Sequence, residues 1–310
     1  MLKGLALTPP VIGRIAIGKM VERNGKRLPE KDDEFTVTSQ IQSKDGWIPH
    51  PLNESLRKEP GQKLRSIPIR FLFDDPDLNF RVKYTMFDRQ SGRPVCVGDG
   101  ENCRRATSAG MQAMPCPTPM GCAVGIAGHC KPYGRLHVRI GDEDELGSFV
   151  FRTTGFNSIR TLTTRMKYYQ AVSGNRLASM KLELRLRGKS TTQSHRAPIY
   201  YVDITPASGA TLENLVQEAL QARDQQLAAG IDQVLLDVAA RAGFALGEFE
   251  ESEEEGAAVV EEFFSSEGDD AAESEAGATA VDTVSLAQKL QTRSHQRGSG
   301  GCSATAAVKT

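Results

Sequence analysis

Between Ser91 and Gly134 the chain is crowded with Gly, Pro and Cys and has no sustained hydrophobic periodicity. A stretch of that length and composition does not fold on apolar burial alone and needs a staple. Cys96, Cys103, Cys116, Cys122 and Cys130 all lie within it, separated by six, twelve, five and seven residues, so none forms a CxxC knuckle.

The opening Met1-Leu2-Lys3-Gly4-Leu5-Ala6-Leu7, followed by Pro9-Pro10, is too short an apolar run for a secretory signal. No later window approaches 18 apolar residues, so the expectation is a cytoplasmic chain without a membrane span. In a reducing compartment, clustered cysteines point to a metal site or reactive thiols rather than to a disulfide framework. Zinc takes four tetrahedral thiolate or imidazole ligands, all from protein in a structural site. Five cysteines and His129 offer one or two more than that. Gly98, Gly100, Gly121, Gly125 and Gly128 permit sharp turns, and Pro115, Pro117, Pro119 and Pro132 restrict the chain before a metal arrives. Metal binding in small sites supplies roughly 10–16 kcal/mol, enough to order a segment with little core of its own. Two other readings stand beside zinc: a redox switch, and ordinary buried thiols, which suits Cys96 between Val95 and Val97. Cys302, far along the tail, reads as a bystander.

Charge divides the chain. Residues 1–200 carry 32 Lys+Arg against 19 Asp+Glu, whereas residues 201–310 carry 6 against 20. A +13 body joined to a −14 tail points to polyanion binding by the body, with the tail as competitor or partner hook, although opposite charges also serve solubility alone.

Short alternating runs at Ile15–Ile17, Phe35–Thr38, Ile67–Phe73, Phe80–Phe87, Leu136–Ile140, Ser148–Thr154, Leu177–Lys189 and Ile199–Ile204 read as strands. Asn24-Gly25 marks a tight turn, and Asp74-Asp75-Pro76-Asp77 ends a strand by turn chemistry. Asn157 or Ser158 caps a helix carrying Ile159, Leu162, Met166 and Tyr169, and Gly174 stops it. Residues 211–242 switch to helical spacing, with Gly230 as a divider, and can dock on the body or pair with a second copy of the chain. Beyond Gly243 no Lys or Arg appears until Lys289, and such a composition buries too little to offset its conformational entropy. The expected fold is α+β: a mainly antiparallel β body with a zinc-stapled Gly/Pro-rich loop, one or two C-terminal helices and a disordered acidic tail. Its divisions fall at 1–205, 206–243 and 244–310.

For nucleic acid, Lys181, Arg185, Arg187 and Lys189 form a row at strand spacing that can track phosphates, with Arg160 and Lys167 on one side of the preceding helix. The plainer reading is a solvated strand face, which Glu183 in its middle favours. Val259, Val260, Phe263 and Phe264 sit in an acidic surround suited to a partner's groove, or to nothing more than a solubilising tail. A metal-dependent hydrolase is the alternative activity, with Asp74, Asp75 and Asp77 gathering a cation, but no HExxH or similar spacing exists. The turn explanation of those aspartates is simpler.

Several stretches resemble the recombination directionality factor-like family of phage and mobile-element proteins. They are Ile12-Gly13-Arg14-Ile15-Ala16-Ile17-Gly18, Pro29–Asp33 leading into Phe35-Thr36-Val37-Thr38-Ser39, and Cys96-Val97-Gly98-Asp99-Gly100. Pro115-Cys116-Pro117, Cys130-Lys131-Pro132 before Arg135-Leu136, and the Phe-Arg-Thr-Thr-Gly strand within Gly147–Gly155 continue the series. The resemblance spans about residues 10–170 in consistent order. It implies a non-catalytic protein that binds a site-specific integrase, a large serine enzyme, on DNA and changes which attachment sites recombine; some relatives resemble generic metal-binding proteins. Carried over, the family's cysteines fall on Cys96, Cys116 and Cys130, leaving Cys122 as the natural fourth zinc ligand and Cys103 as the departure and alternate.

Overall fold

Alternation through Val11–Ile17 and Phe35–Ser39 builds the first hairpin, in which β1 (Val11–Arg23) pairs antiparallel with β2 (Lys26–Ser43), Ile15 opposite Val37. The computed structural model describes residues 10–23, 26–43, 46–141, 147–192, 196–244, 256, 259–260 and 263–264. The expected Asn24-Gly25 turn lies outside them, as does the expected disordered tail apart from its first residue and the five near 260. All described residues fall in one unit, 1–270; the remaining unit, 271–310, is outside the description.

After the hairpin come β3 (Gly46–Pro49), α1 (Leu52–Ser55), β4 (Ser66–Ile69), α2 (Pro76–Asn79) and β5 (Phe80–Phe87). The chain continues through β6 (Pro94–Gly98), β7 (Asn102–Thr107), β8 (Gly110–Pro115), α3 (Thr118–Gly121), α4 (Ala123–Ala127), β9 (Lys131–Val138) and β10 (Ser148–Thr153). Then follow α5 (Phe156–Val172), β11 (Leu182–Lys189), β12 (Ile199–Pro206), α6 (Leu212–Ala228) and α7 (Gln233–Phe244). One sheet of nine described strands runs β3-β2-β1-β10-β9-β5-β6-β7-β8, and a smaller one runs β12-β11-β4. Among the described strands only β1 with β10 is parallel, so the α+β, mainly antiparallel expectation holds. The Gly/Pro/Cys stretch is not the loop expected of it. β6, β7 and β8 form a meander whose backbone pairing supplies order without apolar periodicity.

The core lies between the two sheets and α5. Phe80, Leu136, Val138, Phe149 and Phe151 meet Ile67, Ile69, Leu182, Leu184, Val202 and Ile204, with Ile159, Leu162, Met166 and Tyr169 of α5 between them. Leu162 and Met166 are essentially fully buried, each worth about 1.5–3 kcal/mol in transfer terms. The cap of α5 is Gly155, not Asn157 or Ser158. Those two side chains have other partners: Ser158 Oγ accepts from Val202 N at 3.1 Å, and Asn157 Oδ1 accepts from Lys189 Nζ at 2.6 Å.

The aspartate turn anchors the C-terminal helices. Asp75 caps α2 by accepting from Asp77 N, and its other oxygen pairs with Arg241 at 2.6 Å. Asp74 accepts from Ala178 N and pairs with Arg223 at 2.6 Å. Gly230 at φ +86 ends α6 as expected, and α7 then docks by its polar side. Gln233 donates to Leu72 O at 2.9 Å, and Asp237 accepts from Asp74 N and Asp75 N at 3.0 Å each. Val234, Leu235 and Val238 of α7 are left more than half exposed. Replacing Asp237 with Ala strands two backbone donors in a buried turn, so a loss of about 1–3 kcal/mol is expected. Faster hydrogen exchange through 233–244 would register it; unchanged exchange would show that α7 is held by other contacts.

Candidate metal centre and basic sheet face

Strand register brings the thiols together. Cys96 stands opposite Met86 and Arg105, and Gly98 opposite Tyr84 and Cys103, so all six side-chain positions share one face of the sheet. After β8 the chain turns at Cys116 and folds α3 and α4 back over that face. Cys122 caps α4, its Sγ accepting from Gly125 N at 3.2 Å, and Cys130 N donates to Gly125 O at 2.8 Å as the chain enters β9. Cys96, Cys116, Cys122 and Cys130 thereby line, with Arg105, a cavity of about 10 Å³. Gly98 belongs to the same packing, since a Cβ there would come within 2.9 Å of Cys116 Sγ and 2.7 Å of Cys103 Cβ. Cys103 is buried beside Cys96 and Cys116 but aims its Sγ at Pro115 O, 3.7 Å away, and does not line the cavity. His129 stands instead against the Phe264 ring and is not among the lining residues.

Arg105 is the feature that sequence reasoning missed. Its Nε lies 3.5 Å from Cys96 Sγ and its Nη2 3.2 Å from Cys122 Sγ. Strand alternation from Cys103 was the available signal, because residue i+2 must share its face. The Gly125 amide and then Arg105 pull the Cys122 thiol down from its ordinary pKa, whereas burial, followed by the neighbouring cysteines, pushes Cys130 up to about 12. Burial and Cys96 raise Cys103 to about 11. The donor chemistry suits zinc, and the guanidinium can offset thiolate charge. Among the described residues, however, no three His, Cys, Asp or Glu side chains form a closed ligand set. The thiols converge around the cavity with Arg105 between two of them.

The expected nucleic-acid row is locally neutralised. Lys181 pairs with Glu218 at 2.9 Å, Arg185 with the buried Glu183, and Arg187 with the buried Asp203 at 3.2 Å, which also holds Arg165 at 3.0 Å. Lys189 bonds Asn157, while Arg160 and Lys167 lie exposed on α5. A second gathering of cations lies elsewhere among the described residues. Arg81 opposes Arg135, which opposes Arg152, and Arg14 and His137 both oppose Val150, placing all five on the sheet face turned away from the core; Arg139 continues the alternation of β9. Arg14 stacks on Trp47 at 3.8 Å. His137 is 8% exposed and, among the described residues, its Nδ1 has no hydrogen-bond partner.

Val259 and Phe263, expected to be offered to a partner, are fully buried on the chain's own body, with Phe263 4.9 Å from Phe87 and 5.8 Å from Tyr133 between ring centroids. Val260 and Phe264 pack against the same cluster. Among the described residues no helix is long and apolar enough to cross a membrane. A family model described as Gp3-like, recombination directionality factor-like, matches residues 12–207. No curated protein and no solved structure matches the chain.

Burial, and then Arg81, Arg135 and Arg152, hold the His137 imidazole pKa well below its ordinary value. Below about pH 6.5 the unfolded chain therefore takes up a proton that the folded chain refuses, and stability falls with pH by up to ~1.4 kcal/mol per unit. Denaturant titrations at pH 7.5 and 5.5 should show a larger drop for the wild type than for His137→Gln. Equal drops would place the acid sensitivity elsewhere.

Proposed function

The chain belongs to the recombination directionality factor-like family, and on that footing we propose that it is a non-catalytic accessory protein of DNA recombination in a phage or integrative element. It binds a site-specific integrase on DNA and controls which attachment sites recombine. The observation that carries this reading is the family match over 12–207, which spans the whole β body together with its cysteine centre. The non-catalytic part is supported by the aspartates: Asp74 and Asp75, the best cation ligands for a hydrolase, are engaged by Arg223 and Arg241 as anchors for α6 and α7.

A structural zinc completes the proposal, held by Cys96, Cys116, Cys122 and Cys130, with Cys103 as a neighbouring spare. Bound there, zinc would cross-link β6, the α3–α4 turn and the start of β9. Arg105 would donate to the sulfurs of Cys96 and Cys122. DNA contact fits the basic body, through Arg160, Lys167 and the β11 row or through the arginine face. The exposed apolar side of α7, with Leu227 and Ile231 next to it, supports association through 211–242 with a second copy of the chain.

Three measurements test these parts. With the integrase of the same element, adding the protein should shift recombination from one pair of attachment sites to the other; no shift and no co-purification would sink the functional reading. Elemental analysis after reducing purification should find about one zinc per chain, retained by Cys103→Ser and lost by Cys130→Ser. Absence of metal, or the reverse pattern, would overturn the ligand assignment. Sedimentation should show a self-association that Leu235→Glu abolishes, and a monomeric wild type would dismiss it.

A further inference from the structure

β9 carries Lys131, Tyr133, Arg135, His137 and Arg139 along one line on the sheet face turned from the core, with Arg81 and Arg152 on either side. At the Lys131 end, Phe87 and Tyr133 form an apolar seat filled by Val259 and Phe263. Lys131 Nζ lies 4.7 Å over the Phe263 ring, and the Arg89 guanidinium 4.1 Å over Phe264. Gly256 fits against the hairpin before β6 so closely that a Cβ on Gly92 would meet its carbonyl carbon at 2.4 Å. At the other end, Arg70 and Arg139 pair backbone to backbone, and the nearby Asp75 holds Arg241 in the last turn of α7.

The chain thus leaves the Arg139 end of β9 at Phe244 and is seated again at its Lys131 end at Gly256. Residues 245–255 between them include Glu248, Glu250, Glu251, Glu253, Glu254 and Glu255 and no base. Eleven residues reach ~36 Å when extended, and a strand the length of β9 spans ~26 Å, so the segment is long enough to follow the strand. Arg135 and His137 are nine-tenths buried although they lie on the face turned from the core, and the His137 Nδ1 finds no partner among the described residues. The six carboxylates of that segment and the arginines 81, 135, 139 and 152 of the face are opposite in sign, and a tethered ligand acts at an effective concentration in the millimolar range.

We propose that this arginine face is an anion-binding surface whose resident occupant is the chain's own acidic stretch Glu248–Glu255, held there by the seating of Val259 and Phe263. This deepens the DNA reading above, since it names the face that a phosphate backbone must compete for, but the occupancy itself does not rest on that reading.

The test uses the full chain and a labelled synthetic peptide carrying residues 246–266. The wild type should bind it weakly, because the face is already filled. Val259→Ser with Phe263→Ser should unseat the segment and tighten peptide binding at least about tenfold, and adding Arg139→Gln with Arg152→Gln should remove most of the gain. Gly92→Ala unseats the same segment from the hairpin without touching the core, and should reproduce the gain if the double variant folds poorly. Equal affinity in the wild type and both unseated forms, or a gain that survives loss of the arginines, would overturn the proposal. A 20-base-pair duplex added to the peptide complex decides the other question: displacement supports the DNA reading, and its absence sinks the DNA contact at this face while the peptide result still decides the occupancy.

Discussion

The register of β9 between β5 and β10 is the constraint on which the rest of the molecule depends. Pairing Leu136 with Phe80 and Phe151 sends Gly134, Leu136 and Val138 into the core and Tyr133, Arg135 and His137 to the opposite face. Because side chains alternate with a period of two, a slip of one residue would exchange those faces, burying arginines in the core and exposing leucine. Cys130, immediately before the strand, would move with it. Core, cysteine centre, arginine face and the seat for Phe263 are four consequences of one set of backbone hydrogen bonds.

The cysteine centre shows how a weakly apolar segment becomes ordered. β6, β7 and β8 extend the sheet by main-chain pairing, and the short α3–α4 turn then brings Cys116, Cys122 and Cys130 onto the face already carrying Cys96 and Arg105. Close approach is needed there, and Gly98 permits it by offering no Cβ to the Cys116 sulfur. Arg105 supplies positive charge from within the strand and reaches the sulfurs of both Cys96 and Cys122.

Cation placement separates two basic surfaces that look alike as lists of residues. On β11 each arginine has a buried carboxylate within reach, Glu183 or Asp203, and the two Asp203 pairs tie β11, β12 and α5 together. On β9 the arginines neighbour one another across strands and surround a histidine whose pKa is held low. The first arrangement ties elements of the fold together; the second brings like charges side by side.

Local patterns in the sequence were sufficient for the α+β class, the antiparallel hairpin at the start, the apolar stripe of α5, the alternation of β11 and the break at Gly230, because each depends on the spacing of neighbouring residues. Clustering of the cysteines and the division of charge were equally legible, and with the family motifs they pointed to the same recombination family. What only the tertiary structure decided depends on partners distant in the chain. Arg105 meets Cys122 across seventeen positions, and Asp74 spends its charge on Arg223 rather than on a cation. Ser158 bonds a strand instead of capping its helix, and Phe263 finds Phe87 and Tyr133 in its own body. Periodicity shows which face a residue occupies; it takes the pairing of strands far apart in sequence to say what that face meets.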